Sequence, residues 1–319
     1  MPDPIHSVTL GIINYNGSRF LEELLDGIRN QRFANYETLL LDNASSDASL
    51  ELVRASFPWV RLISNRQNVG FSKAGNQILA ESASPFICFL NTDIKLDPDW
   101  LGQLLNQIEK SPDIAAVAPK MLLYDSPNRL NGVGGCMNRL GYTWDRGMFE
   151  EDLGQYDEPA PVLFASAGAS LFRRSALEQL GGFDEGMFMY HEDVDLGWRL
   201  WLSGHQVRTA PAAVAFHHFG GTTKASRGMV WRELLGERHN IRSLLKNLEV
   251  SNLFRALAGL LALRQPVPRK IAQLKNFAWN FTHLGSTLTH RRRIQRGRVL
   301  RDRDLEWLIV QSSNVPVRL

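Results

Sequence analysis

The sequence is poor in the features that most quickly assign a protein to a class. It contains 2 cysteines in 319 residues, Cys88 and Cys136, and they do not form a CxxC motif. We therefore expect buried free thiols in a reducing compartment, without a disulfide framework or a zinc site. No window approaches a run of about 18 uncharged apolar residues, so no spanning helix is predicted. The first residues show no basic segment followed by an apolar stretch, so no signal peptide is predicted and the expected location is the cytoplasm.

An excess of one charge is missing as well. The chain has 36 Lys and Arg against 33 Asp and Glu, a formal net charge of +3, which is too small to indicate a nucleic-acid partner. With 44% hydrophobic and 22% charged residues, the composition is typical of a globular protein with one large core and an appendage. The basic residues concentrate near the end, where HRRRIQRGRVLRDR occupies 290–303.

Strand-like and helix-like patterns alternate through the first part of the chain. Short apolar runs that end in polar residues predict four strands, at 7–15, 36–43, 60–65 and 85–91. Helical spacing predicts three intervening helices, at 18–31, 46–56 and 71–82, with Ser46 and Ser72 as candidate N-caps. This order predicts an α/β fold with a mostly parallel, Rossmann-like sheet flanked by helices, in which ligands bind where the strands end.

The order becomes more mixed after the fourth strand. We predict helices at 97–110, 175–181 and 191–203, strands at 114–120, 161–174 and 186–190, and a Gly-rich hairpin at 131–141. From residue 229 onward the pattern is helical and increasingly basic. We therefore expect a sheet domain at 1–228, with halves at about 1–120 and 121–228, and a C-terminal helical appendage at 229–319.

Polar residues at the strand ends are the first candidates for a binding site. Asp42 can accept a hydrogen bond from a nucleobase or a ribose, although an Asx-turn or helix cap explains it equally well. The segment NRQNVGFSKAGN (65–76) puts Asn68, Gly70 and Asn76 around a helix start, where free N–H groups and the helix dipole favour phosphate or hydroxyl oxygens. It has neither a GxGxxG nor a Walker pattern, which argues against a dinucleotide or a P-loop.

Two further patterns can hold a divalent cation. FLNTDIKLD (89–97) contains Asn91-x-Asp93 after a strand, and these hard oxygens can reach one cation that also bridges a diphosphate. A plain turn is the commoner explanation of such a pair. VAFHHFGGTT (214–223) places His217 and His218 after a strand, where an imidazole can complete an oxygen-rich site or simply fill the core.

Three carboxylates stand beside an aromatic run in FMYHEDVDLGWRLW (188–201). Glu192, Asp193 and Asp195 fall in the first turns of a predicted helix, where negative charge complements the helix dipole. Arg199, four residues after Asp195, can pair with it. Asp193 has no such partner, and a carboxylate at a helix start beside an aromatic-walled crevice can take a proton from an incoming hydroxyl.

Taken together, these motifs resemble family 2 glycosyltransferases of the GT-A fold, in particular their bacterial rhamnosyltransferase-like branch. The resemblance covers about 7–247, and the motifs appear in the family's order. They are IINYNG (12–17) with LDNASSD (41–47), NVGFSKAGN (68–76), LNTD (90–93), and GGFDEGMFMYHEDVDLGWR (181–199) followed by HHFGG. Each motif is weak alone, whereas their order and spacing together are highly specific.

The resemblance implies an inverting transfer of a sugar from a nucleoside diphosphate donor, with Mg²⁺ or Mn²⁺ as cofactor. It implies Asp193 as general base and Glu192 as the residue that orients the acceptor or the base. It implies Asp93 and His218 as metal ligands, with His217 as the second choice. The donor side would comprise Asn14, Asn16, Asp42, Asn43, Asn68, Gly70, Asn76, Asn91 and Thr92. The acceptor side would comprise Gly168, Ala169, Trp198 and Arg199, and a tightly packed core strand explains the small residues equally well.

One position departs from the family pattern. Asn91 stands where many relatives carry the first Asp of Asp-x-Asp, so we expect weaker metal binding in the absence of donor. By resemblance, dTDP-L-rhamnose is the expected donor, and UDP-sugars are the second choice. The expected acceptor is a lipid-linked saccharide in cell-surface polysaccharide synthesis. A non-catalytic nucleotide-sugar binding relative and a nucleotidyltransferase are the alternatives. The presence of Asp193 argues against the first, and the lack of a Gly-rich basic loop in NYNGSRF (14–20) argues against the second.

Apolar and basic residues interleave at 251–290, ahead of the basic cluster at 290–303. A helical cap on the sheet is one explanation. The other is an interfacial helix pair on an anionic leaflet, which would place the protein peripherally on the inner face of the cell membrane, close to a lipid-linked acceptor.

Overall fold

The computed structural model describes residues 6–219, 228–264 and 266–310. The strands are β1 (Val8–Asn14), β2 (Tyr36–Asp42), β3 (Arg61–Ser64), β4 (Phe86–Asn91), β5 (Ile94–Leu96), β6 (Ile114–Leu123), β7 (Ser126–Gly132), β8 (Gly135–Asn138), β9 (Thr143–Asp145), β10 (Ala169–Arg173), β11 (Gln206–His217) and β12 (Ile309–Val310). The α-helices are α1 (Ser18–Arg29), α2 (Ser49–Ser56), α3 (Gly70–Glu81), α4 (Trp100–Ile108), α5 (Arg174–Leu180), α6 (Glu192–Leu202), α7 (Gly228–Asn247), α8 (Val250–Ala262), α9 (Val267–Thr282) and α10 (Leu284–Arg296). A 3-10 helix follows at Asp302–Leu308.

A nine-stranded sheet organises these residues. Its order is β3-β2-β1-β4-β10-β6-β11-β5, with β7 paired to β6, and β12-β8-β9 form a separate three-stranded sheet. Strands β1 to β4 run parallel, so their carboxyl ends share one edge of the sheet. At that edge Asn14 pairs with Asp42 and Ile13 with Asn91. The predicted convergence of these strand ends is confirmed.

Helices cover both faces of this sheet because the strands are apolar on both faces. In β2, Leu39 and Leu41 belong to the core cluster that includes Ile78 of α3. Leu40, between them, belongs to the cluster that includes Leu24 of α1. This alternation has the two-residue period of a strand, and it explains why a continuous apolar run forms the centre of the fold.

The second half of the sheet differs from the prediction. β10 runs antiparallel to both β4 and β6, and β5 runs antiparallel to β11. The strand predicted at 161–174 forms only as β10, because the preceding residues make isolated bridges to other segments. The strand predicted at 186–190 is wrong. Tyr190 and His191 have φ angles of 66° and 74°, and this left-handed backbone is incompatible with an extended strand.

The helix starts also differ from the prediction. α2 begins at Ser49, whose N–H donates to Asp47 Oδ1 at 3.1 Å, so Ser46 is not its N-cap. Ser72 lies inside α3, which begins at Gly70, and the N–H of Gly70 donates to Asn68 Oδ1 at 2.9 Å. In both cases an acidic or amide side chain just before the helix takes the place of the predicted serine.

The helices after residue 228 share the core of the sheet domain. Ile241 and Leu244 of α7 lie in the same buried cluster as Leu196 and Leu200 of α6. Helices α9 and α10 pack on α7 in turn. None of the described helices combines the length and the apolar character needed to cross a bilayer.

Candidate active site

The carboxyl ends of β1 and β2 hold a buried group of polar side chains. Asn14 Nδ2 donates to Asp42 Oδ1 at 2.7 Å and to Ser45 Oγ at 3.0 Å. The N–H of Ser45 donates to Asp42 Oδ2 at 3.0 Å, so both oxygens of Asp42 accept hydrogen bonds within the protein. Asp42 is also only 1% exposed. It therefore shapes this loop, whereas the neighbouring Asn16 is exposed.

The first backbone N–H groups of α3, expected to meet a phosphate, have partners within the protein. The N–H of Gly70 donates to Asn68 Oδ1 at 2.9 Å, and the N–H of Phe71 donates to Phe188 O at 2.7 Å. Gly70 has a φ of 82°, and a Cβ there would lie 2.2 Å from Phe188 O, so only glycine fits. Both N–H groups are thus engaged within the protein, and the expected donor contacts of Asn68 and Gly70 stay a prediction. This turn instead joins the donor side to the loop before α6.

Asn76 strengthens the same connection. Its side chain donates to Phe183 O at 3.0 Å and accepts from the N–H of Phe183 at 2.8 Å. Because both ends of the amide are used, its predicted donor contact is corrected to a structural role. Asn43 is 2% exposed and held in a similar way, since it donates to Gly70 O at 3.3 Å and accepts from Asn65 Nδ2 at 2.9 Å.

Asp93 and His217 form the pair of side chains best suited to a divalent cation. His217 Nε2 lies 3.6 Å from Asp93 Oδ1, and His217 Nδ1 lies 3.0 Å from Asn131 Oδ1. Because an amide oxygen can only accept, Nδ1 carries the proton, and in the neutral ring Nε2 presents its lone pair towards Asp93. This donor set fits a cation whose other ligands come from a diphosphate and water. Among the described residues, no group of three or more His, Cys, Asp or Glu could hold a metal ion alone.

His218 turns in another direction. Its Nε2 lies 2.8 Å from Glu23 Oε2, and its ring stacks on Tyr124 with 3.6 Å between the ring centroids. Its backbone N–H donates to Asp93 O at 3.0 Å, so it supports the Asp93 turn through the main chain. Successive side chains of an extended segment point in opposite directions, and only one of two tandem histidines can enter the crevice. The geometry therefore favours His217, the second choice of the prediction, over His218 as the metal ligand.

A strained turn sets the start of α6. Tyr190 and His191 both have positive φ angles, which are unfavourable for residues with a Cβ. His239 of α7 holds this turn, since its Nδ1 lies 2.8 Å from Tyr190 O. Burial lowers the pKa of His191 to about 3 and that of His239 to about 4, so both rings are neutral at pH 7. The helix therefore begins at Glu192 in a fixed orientation.

Asp193, the predicted general base, is half-buried at this helix start. Its Oδ1 accepts from the N–H of Val194 at 2.8 Å, and Ser166 and Ala167 also hydrogen-bond to its carboxylate. Removal from water raises its pKa, although these hydrogen bonds act in the opposite direction. Glu192 is 7% exposed, and burial together with the charge of Asp193 raises its pKa well above the usual range. A carboxylate with a raised pKa is a stronger base than a free aspartate.

Asp145 is a site residue that the sequence analysis did not single out. Asp145 is the last residue of β9, which forms a hairpin with β8. It packs closely on Gly132, where an added Cβ would lie 2.4 Å from the Cβ of Asp145. The pKa of Asp145 is raised to about 7, first by burial and then by the charge of Asp193, whereas Arg232 and His217 act in the opposite direction. Asp145 thus interacts electrostatically with both the base and the histidine of the cation pair.

Residues 166–168 connect the base to the end of β4. Ala167 hydrogen-bonds to Asp193, and Gly168 O accepts from the N–H of Asn91 at 2.9 Å. A Cβ on Gly168 would lie 2.8 Å from Asn91 Nδ2, so this segment passes close to the sheet edge. Ala169 is 2% exposed and packs in the core, so its predicted acceptor contact is corrected.

Trp198 and Arg199 lie in the core rather than on the acceptor side. Trp198 is 2% exposed and belongs to the main core cluster. Arg199 is 5% exposed, its Nε lies 2.8 Å from Asp195 Oδ2, and it donates to Gly182 O at 2.9 Å. The predicted pairing of Asp195 with Arg199 is confirmed. The predicted acceptor contacts of Trp198 and Arg199 are corrected, because both side chains are engaged inside the protein.

Asp195 and Asp184 belong to a buried ion network that ties α6 to α7. Lys246 Nζ lies 2.5 Å from Asp184 Oδ2 and 2.8 Å from Asp195 Oδ1. Arg242 donates to both oxygens of Asp184, at 2.8 and 3.0 Å. Burial alone would raise the pKa of each carboxyl group, but Lys246, with Arg242 or Arg199, holds both pKa values well below the usual range. These carboxylates are structural.

The described residues thus gather the candidate site residues into one constellation at the sheet edge. Asn14 and Thr92 meet across Gly17, where a Cβ would lie 2.6 Å from Asn14 Oδ1 and 2.7 Å from Thr92 Oγ1. Thr92 precedes Asp93, and Asp145 relates the Asp93 and His217 pair to Asp193. A base on one side and a cation-binding pair on the other are suited to deprotonating a hydroxyl beside a diphosphate.

Comparison with known proteins assigns the chain to a family. The family model described as "Glycosyl transferase family 2" matches residues 9–181. The curated N-acetylglucosaminyl-diphospho-decaprenol L-rhamnosyltransferase of Mycobacterium tuberculosis (strain CDC 1551 / Oshkosh) is 30% identical over 232 residues, which cover 66% of this chain and 76% of that protein.

Two solved structures share the fold. The structure of GalNAc-T7 with UDP, GalNAc and Mn²⁺ has a TM-score of 0.63 at 14% identity, covering 90% of this chain and 58% of that one. The mannosyltransferase PcManGT from Pyrobaculum calidifontis, in complex with GDP-Man and Mn²⁺, has a TM-score of 0.56 at 18% identity, covering 93% of this chain and 87% of that one. These similarities confirm the predicted GT-A fold.

Proposed function

Because the chain belongs to glycosyl transferase family 2 and is a glycosyltransferase, we propose that it transfers a sugar with inversion from a nucleoside diphosphate donor to a saccharide acceptor. The observation that carries this proposal is the position of Asp193. It has a raised pKa, lies at the start of α6, and belongs to the same constellation as the Asp93 and His217 pair.

In this reaction Asp193 takes the proton of the acceptor hydroxyl while the hydroxyl oxygen attacks the anomeric carbon from the face opposite the leaving nucleotide. The hydrogen bonds from Ser166, Ala167 and Val194 hold the carboxylate in one orientation. Glu192 is buried, and its Oε2 has no hydrogen-bond partner among the described residues. We assign Glu192 to orienting Asp193 rather than to touching the acceptor.

Asp93 and His217 are the residues that would hold Mg²⁺ or Mn²⁺. When bound, the cation offsets the negative charge that develops on the departing diphosphate. Asn131 fixes the His217 ring through Nδ1, which is how proteins commonly orient a metal-binding imidazole. Asn91 stands where a carboxylate would be, so the diphosphate of the donor would contribute more to the affinity for the cation.

The donor and acceptor classes follow from the relative whose name describes L-rhamnosyl transfer to a decaprenol-linked N-acetylglucosaminyl diphosphate. We propose dTDP-L-rhamnose as the donor, and UDP-sugars as the second choice. We propose a lipid-linked saccharide as acceptor, in the synthesis of cell-surface polysaccharide. At 30% identity the sugar pocket can differ, since one or two hydrogen bonds decide which sugar is accepted.

A panel of nucleotide-sugars tests this proposal by thermal shift and by transfer assay, each with Mg²⁺ and with Mn²⁺. We expect one donor to raise the melting temperature and to be turned over. Asp193→Asn should keep the thermal shift and lower turnover by about 10²- to 10⁴-fold, because only the proton transfer is removed. Asp26→Asn, at an exposed ion pair on α1, is the matched charge control. Near-normal turnover in Asp193→Asn removes the base assignment, and a donor that binds without turnover by the parent favours a non-catalytic binding protein.

The pH profile of kcat gives an independent test of the base. Asp193 works only when deprotonated, so activity is present above its pKa and is lost as the pH falls through it. Because the pKa of Asp193 is raised, the acid limb should lie above the value of about 3.9 for a free aspartate. A limb at or below that value, measured with saturating donor and acceptor, contradicts the assignment.

A further inference from the structure

Helix α9 buries polar side chains and exposes apolar ones. Its inward-facing residues are Gln273, Asn276 and Asn280, which are 4%, 1% and 2% exposed. Its large exposed side chains are apolar: Val267 at 72%, Ile271 at 50%, Leu274 at 54% and Phe281 at 77%. Both sets follow helical spacing, so each occupies one face of the helix. An ordinary surface helix shows the opposite arrangement.

Two of the three buried amides, Gln273 and Asn280, donate to backbone carbonyl groups of other helices, so the polar face of α9 is fixed towards the protein. Gln273 Nε2 donates to Leu260 O at 3.0 Å, and Asn280 Nδ2 donates to Arg238 O at 3.0 Å. Lys270 Nζ donates to Leu261 O at 2.6 Å, which joins the end of α8 to α9. The apolar face of α9 therefore cannot turn inward without breaking these hydrogen bonds.

Helix α8 adds a second exposed apolar row. Val250, Phe254 and Leu261 are 59%, 68% and 49% exposed, at positions that share one helix face. The residues between them, Ala256 and Leu260, are buried in the core. Solvent-exposed apolar side chains thus recur on two consecutive helices, which marks an interaction surface rather than scattered exposure.

The charge of this region has one sign. From 250 to 282 the sequence contains no Asp or Glu. It contains five cationic residues, Arg255, Arg264, Arg269, Lys270 and Lys275. Within 250–282 the exposed apolar side chains are interspersed with cations only, although Arg269 pairs with Glu233 of α7 at 3.6 Å. This combination complements a bilayer leaflet, whose interior is apolar and whose headgroups are acidic.

We propose that the α8–α9 surface, formed by the exposed apolar residues of 250–282 and the cations between them, docks on an anionic lipid bilayer. Helices of 13 and 16 residues would lie in the interface, with Phe254 and Phe281 entering the boundary between headgroups and acyl chains. This proposal stands apart from the transfer reaction, since it rests on these two helices alone.

The basic cluster at 290–303, which follows the segment predicted to form interfacial helices, serves the fold in part. Arg291 Nη1 donates to Leu245 O at 2.7 Å and to Leu248 O at 2.8 Å, at the end of α7. Arg293 donates to Gln179 O at 3.0 Å. These arginines satisfy carbonyl groups of helix ends, so the proposed membrane contact rests on α8 and α9 rather than on this cluster.

Flotation of the full chain with phosphatidylcholine vesicles, with and without phosphatidylglycerol, tests the proposal without any sugar substrate. We expect binding to the anionic vesicles that weakens as salt is raised. Phe254→Ser and Phe281→Ser should each reduce partitioning about tenfold. Leu153→Ser, which removes an equally exposed apolar side chain (78%) outside these helices, should bind like the parent.

Three outcomes overturn the proposal. The parent fails to float with anionic vesicles, or the two Phe variants float as well as the parent, or light scattering shows a concentration-dependent dimer that the same variants abolish. In the last case the surface joins two copies of this chain. Circular dichroism and the urea midpoint check that each variant is folded, and substitutions at such exposed positions should leave both unchanged.

Discussion

Helix α6 carries buried carboxylates into two different environments. Glu192 and Asp195 are 7% and 0% exposed, so burial acts on both. Asp195 lies 2.8 Å from both Lys246 Nζ and Arg199 Nε, and these cations hold its pKa well below the usual range. Glu192 has no cation beside it, and burial followed by the charge of Asp193 raises its pKa. The neighbouring cations, rather than the degree of burial, decide the protonation behaviour of each carboxyl group.

Because of this difference, one side of α6 contributes to stability and the other to the proposed proton transfer. The Asp184 and Asp195 side is neutralised by cations from α7 and locks α6 in place. On the Glu192 and Asp193 side, burial raises the pKa of both carboxyl groups, which favours the uptake of a proton. Breaking either side should therefore have opposite consequences for folding.

The largest expected effect comes from removing the shared cation. Lys246→Met leaves two carboxylates buried with fewer compensating charges, so we expect the free energy of unfolding to fall by about 3–5 kcal/mol. Urea denaturation at pH 7 measures this. Glu81→Gln is the control, because its ion pair with Arg61 is exposed on both sides (52% and 47%) and should contribute less than about 1 kcal/mol. Equal losses in the two variants would show that the network adds nothing beyond a surface pair.

An intermediate effect is expected at the hairpin. Asp145 lies near Asp193, and its pKa of about 7 lets its carboxyl group accept or donate a hydrogen bond to an acceptor hydroxyl. We expect Asp145→Asn to raise the KM for acceptor about tenfold, or about 1.4 kcal/mol, while the thermal shift by donor is unchanged. Steady-state kinetics with each substrate varied measures the split. Glu158→Gln, an exposed residue of the same half, is the control, and an equal change in both KM values would count against this role.

The smallest expected effect concerns the stability of the base variant. Asp193→Asn removes a charge that raises the pKa of Glu192, so the free energy of unfolding should stay equal or rise by up to about 1 kcal/mol. Asp195→Asn, two residues later, should lower it, because Lys246 and Arg199 lose a partner. Urea denaturation of the two variants side by side measures both. A loss of stability in Asp193→Asn as large as in Asp195→Asn would erase the distinction between the two environments.

The sequence predicted the sheet edge because that prediction needs only local signals. Apolar runs of strand length, separated by helical spacing, put the ends of β1, β2 and β4 on one side whatever the details of packing. The fold of the second half, at about 121–228, was harder to predict. β10 inserts antiparallel between β4 and β6, and this pairing joins residues far apart in the chain. No periodicity within a strand reports which neighbour it will have.

The roles of individual side chains were hard to predict for a related reason. A tandem pair such as His217 and His218 points to opposite sides, and only the placement of β11 beside β6 decides which one enters the crevice. Asn76 was predicted to contact the donor because its actual partner, Phe183, lies far along the chain and no local pattern reveals it. Asp145 was missed for the same cause, although an acid next to Trp144 in a Gly-rich hairpin was a usable signal. The pairing of Asp195 with Arg199 succeeded because helical spacing alone determines it.

The contacts of α7 bear on how such enzymes can be recombined. The boundary at 228, read from a change in composition, falls before the residues of α7 that bind Asp184 and Asp195, namely Arg242, Ser243, Lys246 and Asn247. A fragment that ends there would keep every proposed catalytic carboxylate and lose the cations that hold their helix. Chimeras that exchange the C-terminal helices between relatives should therefore place the junction after Asn247, so that α7 travels with the sheet it completes.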